Sequence, residues 1–184
     1  SVPSTIKSVI FTSDYSNILT GSHDGLVRLY NRKLELSLCS KEYDKHYDWI
    51  RILKNNPKKL EEFASAGDDK TILFYNEKTL DKLRVIIPGH SAYIFTICFS
   101  NDGNLIFSSG NDCKLIVNKA NEEKPDDYSP AVKVLGNPQF NSSDVYSVDI
   151  DADGNSLVSC SYYGSIKFLN LSNDETKQEF KFTS

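Results

Sequence analysis

The sequence predicts an all-β protein assembled from one small unit used four times. Residues 8–31, SVIFTSDYSNILTGSHDGLVRLYN, are matched in register by residues 96–119, TICFSNDGNLIFSSGNDCKLIVNK, and by residues 147–170, SVDIDADGNSLVSCSYYGSIKFLN. Residues 52–76, ILKNNPKKLEEFASAGDDKTILFYN, form a fourth copy with one extra residue in the first turn. Within each copy, short apolar runs alternate with clusters of Asp, Asn, Ser and Gly, the punctuation of strands joined by tight turns. Arg28 interrupts the apolar residues of 26–30, the period of two of a half-buried strand. A meander of three short strands cannot bury its own faces, so the copies must pack on one another.

Taken in order, the first unit has predicted strands over 8–12, 18–20 and 26–30, with a fourth over 34–39. The second has strands over 49–54, 62–66, 71–75 and 83–87; its first turn, residues 55–59, is basic. The third has strands over 94–99, 105–108, 114–117 and 132–135. Residues 121–130, NEEKPDDYSP, break its pattern and read as an acidic mobile loop, a solvated insertion, the alternatives being a docking loop or a phosphorylation target at Ser129-Pro130. After a polar loop over 136–143, the fourth has strands over 145–150, 156–159, 165–169 and 178–182.

These units resemble WD40 repeats, whose period is about 40–45 residues with four strands per propeller blade. Gly89-His90 stands as the family's Gly-His pair before Ile94, and His46 takes the same place before Ile50; in the first unit Val2 stands there. Thr20, Ser65, Ser108 and Ser159 hold the small second-strand position. Asp24, Asp69 and Asp112 hold the turn position, which the fourth unit gives to Tyr163. The Trp-Asp pair reads Tyr30-Asn31, Tyr75-Asn76, Asn118-Lys119 and Leu169-Asn170, so no copy keeps it literally.

The resemblance implies WD40-type β-propeller blades, four four-stranded antiparallel sheets at about residues 1–40, 41–88, 89–136 and 137–184. Such rings close with roughly four to eight blades. Together with the absence of any Met, that predicts a partial propeller belonging to a longer chain. The resemblance also implies a hydrogen-bonded chain inside each blade. Its members would be His46, Ser65, Asp69 and Tyr75 in the second blade, His90, Ser108 and Asp112 in the third, and Thr20, Asp24 and Tyr30 in the first. The chemistry is general, because a buried turn Asp needs donors, and a hydroxyl and a ring nitrogen supply them. A His/Ser/Asp trio is also the constellation of a hydrolase, but its recurrence at blade period marks a scaffold. The sequence predicts no catalytic residue and no enzyme.

In WD40 propellers the residues just before the first strand and just before the turn acid share one face around the channel. Mapped here, that face takes Pro3, Thr5 and His23, then Tyr47, Trp49 and Asp68, then Ser91, Tyr93 and Asn111, and finally Ser142, Asp144 and Tyr162. Tyr47, Trp49, Asp68, Tyr93, Asn111, Asp144 and Tyr162 are the candidate protein-binding residues, since aromatics with polar neighbours make interface hot spots. The expected function is a non-catalytic interaction scaffold within a multi-subunit assembly, binding a peptide or protein on this face. The rival is a purely structural role, with the blades completing a ring and packing against other subunits.

Composition narrows the partners. A net charge of −4, with acids and bases interspersed, disfavours nucleic acid as the main ligand. No apolar run approaches the length of a membrane span and no N-terminal signal pattern is present, so no membrane insertion and an intracellular location are expected. Cys39, Cys98, Cys113 and Cys160 have no metal-ligand spacing and read as small buried or half-buried thiols. Asp102-Gly103 and Asp153-Gly154 read as hairpin turns rather than calcium loops. No cofactor or metal is expected.

Overall fold

Strand pairing in the computed structural model, which describes residues 4–121, 133–135, 143–173 and 175–181, gives four antiparallel meanders in chain order. The first sheet holds β1 (Ile6–Phe11), β2 (Asn17–Ser22), β3 (Val27–Asn31) and β4 (Leu36–Cys39). The second holds β5 (Ile50–Asn55), β6 (Glu62–Gly67), β7 (Ile72–Asn76) and β8 (Lys82–Ile86). The third is β9 (Ile94–Phe99), β10 (Leu105–Gly110), β11 (Leu115–Lys119) and β12 (Lys133–Leu135). The fourth is β13 (Val145–Ile150), β14 (Ser156–Ser161), β15 (Ser165–Asn170) and β16 (Glu175–Lys181). A single 3-10 turn, Glu42–Asp44, joins the first two sheets. Val2, Pro3, Ser129, Pro130, Ser142 and Phe182 lie outside the described residues.

The second strands run about two residues past the expected ends, to Ser22, Gly67, Gly110 and Ser161. Turn-forming side chains pointed to an earlier stop. The strand continues because each first strand supplies a partner for those residues: Ile6 for Ser22, Ile50 for Gly67, Ile94 for Gly110 and Val145 for Ser161. At Gly103 and Gly154 the backbone takes φ of +68° and +72°, the left-handed geometry of the expected hairpin turns.

The core lies between sheets, not within them. Leu19, Val27 and Leu29 of the first sheet meet Leu53, Phe63, Leu73 and Tyr75 of the second. On the other side of the second sheet, Ala64, Ala66 and Phe74 meet Ile94, Ile97 and Ile106 of the third. Cys98, Phe107, Leu115 and Val117 then meet Val145, Val148, Leu157 and Leu169 of the fourth. First strands pack in sequence, β1 on β5, β5 on β9 and β9 on β13. Polar ties cross the same junctions. Asn55 Nδ2 donates to the Phe11 carbonyl at 2.8 Å, Ser13 donates to the buried Glu77 carboxylate, and Arg84 Nε donates to the Ala120 carbonyl at 2.8 Å.

The second and third sheets are therefore covered on both faces, and the end sheets on one. Among the described strands, no comparable interface joins the fourth sheet to the first. Val9, Phe11 and Leu36 are exposed on the first sheet, and Val158, Ile166 and Phe180 on the fourth. The same geometry corrects the reading of the thiols. Cys39 and Cys160 are exposed because they lie on these outer faces, whereas Cys98 is buried and its thiol is pushed up to about 12 by burial. Uncovered apolar faces of this kind favour association. Light scattering on the chain by itself should report a mass above the monomer, and a stable monomer at tens of micromolar would refute that expectation.

Candidate functional site

Each first strand carries a β-bulge at the same place. The register skips Lys7 in β1, Arg51 in β5, Phe95 in β9 and Tyr146 in β13. A bulge turns its extra side chain away from the ladder, which is how strands re-aim residues toward a site. In the two middle sheets the opposing residue must be glycine. A Cβ on Gly67 would fall 1.9 Å from the Trp49 carbonyl oxygen, and one on Gly110 would fall 1.9 Å from that of Tyr93.

Those carbonyls take part in a bond repeated in all four sheets. The turn residue's N–H donates to the carbonyl of the residue entering the first strand: His23 to Thr5 at 3.0 Å, Asp68 to Trp49 at 2.9 Å, Asn111 to Tyr93 at 3.0 Å and Tyr162 to Asp144 at 3.0 Å. This bond brings the expected surface positions together in pairs. Side chains then link one sheet to the next. His23 stacks on Trp49 with ring centres 3.7 Å apart and planes 5° from parallel. The Arg51 guanidinium lies 5.2 Å from the Trp49 ring centre and 5.5 Å from that of Phe95. Phe95 and Tyr146 are 5.3 Å apart, Tyr146 and Tyr162 5.9 Å, and Tyr162 and Tyr163 5.1 Å. The result is a belt of rings and one guanidinium crossing all four sheets.

Exposure separates the expected face residues. Tyr47 is 95% exposed, Tyr162 61%, Tyr93 44% and Trp49 40%. Trp49 shows an edge, with one face spent on His23. Asp68 departs from its expected surface role. It is buried, and Arg51 Nε and Nη2 donate to its two oxygens at 2.7 Å each. That bond, more than the Coulomb terms from Asp68, Asp48 and Tyr93, raises the Arg51 pKa above its ordinary value against partial burial. Asp68 therefore positions Arg51 rather than meeting a partner, because both oxygens of this largely buried carboxylate are taken by the guanidinium. Asn111 Nδ2 donates to Asp144 Oδ2 at 2.8 Å across the third junction. Among the described residues, no group of three His, Cys, Asp or Glu side chains could hold a metal ion, and no helix is long and apolar enough to cross a membrane.

Three stretches, residues 3–31, 81–117 and 132–170, match the family model described as WD domain, G-beta repeat, and together cover more than half of the chain. The chain belongs to the WD40 family. The second and third matches begin near the outer strand of one sheet and continue into the next, so the WD40 sequence unit is offset from the sheets. The chain is 30% identical over 122 residues to the ribosome biogenesis protein YTM1 of Scheffersomyces stipitis, covering 60% of this chain and 25% of that one. It is 27% identical over 135 residues to a ribosome biogenesis protein WDR12 homolog of Arabidopsis thaliana, covering 68% and 31%. To the Polycomb protein EED of Chaetomium thermophilum it is 25% identical over 173 residues, covering 89% and 28%. The chain thus spans roughly a quarter to a third of the length of these relatives.

In the two middle blades of this WD40 protein the histidine, serine and aspartate of the expected internal network lie within hydrogen-bond distance of one another. In the second, His46 Nδ1 lies 2.8 Å from Asp69 Oδ2 and Nε2 lies 2.6 Å from Ser65 Oγ. In the third, His90 Nδ1 is 3.0 Å from both Asp112 oxygens and Nε2 is 2.9 Å from Ser108 Oγ. In the neutral ring Nδ1 donates to the carboxylate and Nε2 accepts from the hydroxyl. Burial raises each Asp pKa, but the His bonds more than offset it, aided by Thr71 for Asp69 and by the Ser91 and Lys114 N–H groups for Asp112. Asp–His–Ser is the bonding order of a hydrolase triad. Ser65 and Ser108 are fully buried between sheets, so no substrate reaches either hydroxyl.

The remaining members differ from the expectation. Tyr75 does not join the second-blade chain; its hydroxyl donates to the Asp44 carbonyl at 2.6 Å. In the first blade Arg28 replaces His, donating to Asp24 Oδ2 at 2.7 Å and to Ser22 Oγ at 2.8 Å. Thr20 is buried with its hydroxyl unpartnered, because no described residue brings a ring nitrogen to it, and Tyr30 stands outside the bonded set. In the fourth blade, the Ser161 and Ser165 hydroxyls bond each other at 2.6 Å and Tyr163 is exposed.

The sequence reading missed Arg51, Phe95 and Tyr146 as site residues. The signal was available: each stands immediately before a repeat copy, the position Lys7 holds in the first.

Proposed function

We propose that this chain is a non-catalytic protein-interaction scaffold within a multi-subunit assembly and that its aromatic face binds a peptide or a protein surface. The observation that carries this reading is the belt itself, rings held in place by one another and by Arg51, with Tyr162 among them open to solvent and Tyr47 and Tyr93 exposed as well. Fixed rings give contact area at little entropic cost, which suits recognition. The relatives' names point the same way, to ribosome biogenesis and Polycomb proteins, with the small ribosomal subunit protein RACK1 of Drosophila melanogaster a further match, 32% identical over 82 residues. Other proteins, rather than nucleic acid or membrane, are the partners this reading assigns, in an intracellular setting. The absence of an accessible nucleophile in the buried trios supports a role without catalysis.

One observation favours a second reading. The outer faces of the end sheets expose Phe11 and Phe180 among other apolar residues, and blades that only complete a ring would use those faces and leave the belt idle. The two are separated by recovering the protein's complex with Trp49→Ala, Tyr93→Ala and Tyr162→Ala made singly, each checked for folding by circular dichroism. A central aromatic anchor contributes about 2 kcal/mol or more, so at least one well-folded variant should lose a partner by about tenfold or more. Unchanged capture by all three would remove the aromatic face from consideration and leave the structural role.

A further inference from the structure

The last strand of each sheet, β4, β8, β12 or β16, is bonded on one side only. Such edges are normally guarded by charge, because a row of free N–H and C=O groups recruits further strands. Three of the four follow that rule. β8 carries Lys82 and Arg84, β12 carries Lys133, and β16 carries Glu179 and Lys181. β4 reads Leu36-Ser37-Leu38-Cys39, with no charge, and all four residues are exposed. Its outward backbone groups have a defined place. The Ser40 N–H donates to the Val27 carbonyl at 2.8 Å, and the Val27 N–H donates to Ser40 Oγ at 3.0 Å, so this pair faces inward. Antiparallel pairing alternates, so the next pair, Arg28 and Cys39, turns its backbone groups apart. The N–H and C=O of Cys39 therefore point to the open edge.

The charges at the two ends of β4 differ. Arg32 and Lys33 are exposed where the chain enters the strand, and among the described residues neither is paired to a carboxylate. Arg32 Nε donates to the Tyr15 carbonyl at 3.0 Å, and Glu35 accepts the Asn31 amide at 2.7 Å. At the far end Lys41 is paired to Asp81 and Lys45 to Glu42. The entry end is left net positive.

We infer that β4 is a docking edge for an extended segment of a partner protein, which adds a fifth, antiparallel strand to the first sheet. The segment carries uncharged residues followed by an acidic pair at its C-terminal end. Main-chain bonds to the open edge supply affinity, and side chains on alternate sides of the added strand supply selectivity. Leu38, opposite Leu29, and Leu36, opposite Tyr30, lie on opposite faces of the sheet, so each face offers one exposed leucine to the added strand. Antiparallel addition continues the meander and brings the C-terminal end of the segment to the start of β4. Acids there meet Arg32 and Lys33, whereas a basic residue is repelled. No member of the aromatic belt lies on β4, so this edge stands independently of the proposed aromatic face.

The test uses the intact protein labelled with nitrogen-15 and the peptide acetyl-Thr-Val-Thr-Val-Asp-Asp-amide as probe, followed by amide NMR. The expected result is saturable movement of the Leu36, Ser37, Leu38 and Cys39 signals and slower hydrogen exchange at the Cys39 N–H. Lys33→Glu should weaken binding about two- to fivefold, the size of an exposed charge contact. The reversed peptide, acetyl-Asp-Asp-Thr-Val-Thr-Val-amide, puts its acids at the wrong end and should lose a similar factor. Cys39→Pro removes the outward N–H without touching the bonds to β3 and should abolish binding, whereas Cys39→Ala should retain it. Should Cys39→Pro fail to fold, the peptide side decides. Of two probes, one N-methylated at both valines and one at both threonines, one should fail to bind and the other should bind, because only alternate residues face β4. No saturable movement, movement confined to another strand, or equal binding of both methylated peptides overturns the inference. Protection of the Cys39 N–H that rises with protein concentration in the absence of peptide would give the edge to a second copy and overturn the partner assignment.

Discussion

Phe74→Ala should lower the free energy of unfolding by about 3–5 kcal/mol, while Phe180→Ala should change it by about 1 kcal/mol or less. The contrast follows from where the sheets face. Phe74 is fully buried between the second and third sheets, edge-on to Phe99 with ring centres 6.1 Å apart. The Arg84 guanidinium lies 3.8 Å from its ring centre, and that guanidinium bonds both oxygens of the buried Glu62 and the carbonyl of Ala120, just past β11 of the third sheet. Truncating Phe74 would open a cavity and strip the cover from a charged pair, two costs that add. Phe180 lies exposed on the outer face of the fourth sheet, so its removal leaves no cavity in the folded state. Urea titrations of both variants decide the matter. Equal shifts in midpoint would mean that the inter-sheet cores do not carry the fold.

Asp69→Ala should cost about 1–3 kcal/mol, and Tyr163→Ala, at the equivalent turn of the fourth blade, should be close to neutral. Asp69 accepts from His46 Nδ1 at 2.8 Å, from the Tyr47 N–H at 3.0 Å, from the Thr71 N–H at 3.1 Å and from the Thr71 hydroxyl at 2.8 Å. Alanine leaves those donors without an acceptor in a site that water scarcely enters. The pH dependence has a defined sign. Burial raises the Asp69 pKa, but the His46 and Thr71 bonds bring it below its ordinary 3.8 in the folded protein. A depressed folded value means that the unfolded chain binds the proton more readily. Asp69 thus contributes its full stability above about pH 5 and loses it as pH falls through 3.8 toward the folded value. Asp112, held low by His90 against burial, and Glu62, held low by Arg84 against burial, act in the same direction. Thermal melts from pH 7 to pH 3 should show the wild type losing stability more steeply than Asp69→Ala below pH 5. Parallel slopes would rule out the proposed contribution of this carboxylate.

The sequence reading is most direct where partners lie within one blade unit. His46 and Ser65, or His90 and Ser108, meet because each histidine stands in the loop four residues before a first strand and each serine on the second strand of the same sheet, so that a chain folding into that meander brings them together. It failed where the contact comes from a residue outside that spacing, whether in a neighbouring sheet or elsewhere in the same blade. Trp49 was expected among the protein-binding residues of the face, and one of its ring faces stacks on His23 of the preceding blade. Asp68 was expected at the surface, but Arg51 from the adjacent strand covers it. Thr20 was expected in a bonded network, and the partner that Ser65 and Ser108 find in a histidine is missing for it among the described residues. Tyr75 was expected to extend its own blade's chain, but the turn at Asp44 offers a closer acceptor.

By itself the sequence determined the all-β class and the number of meanders, and the family resemblance supplied the expectation of the trios in the two middle blades. Alternation, turn chemistry and spacing act over a few residues and leave their mark in the order of side chains. Only the tertiary structure decided which side chains make the belt. Arg51, Phe95 and Tyr146 stand at bulges, and a bulge depends on how two strands pair rather than on which residue occupies it. The contacts from His23 to Trp49, from Arg51 to Phe95 and from Phe95 to Tyr146 each join two sheets. Their geometry is set by how far one sheet is rotated and offset on the next, which the side-chain volumes in the three inter-sheet cores fix jointly and no single repeat encodes.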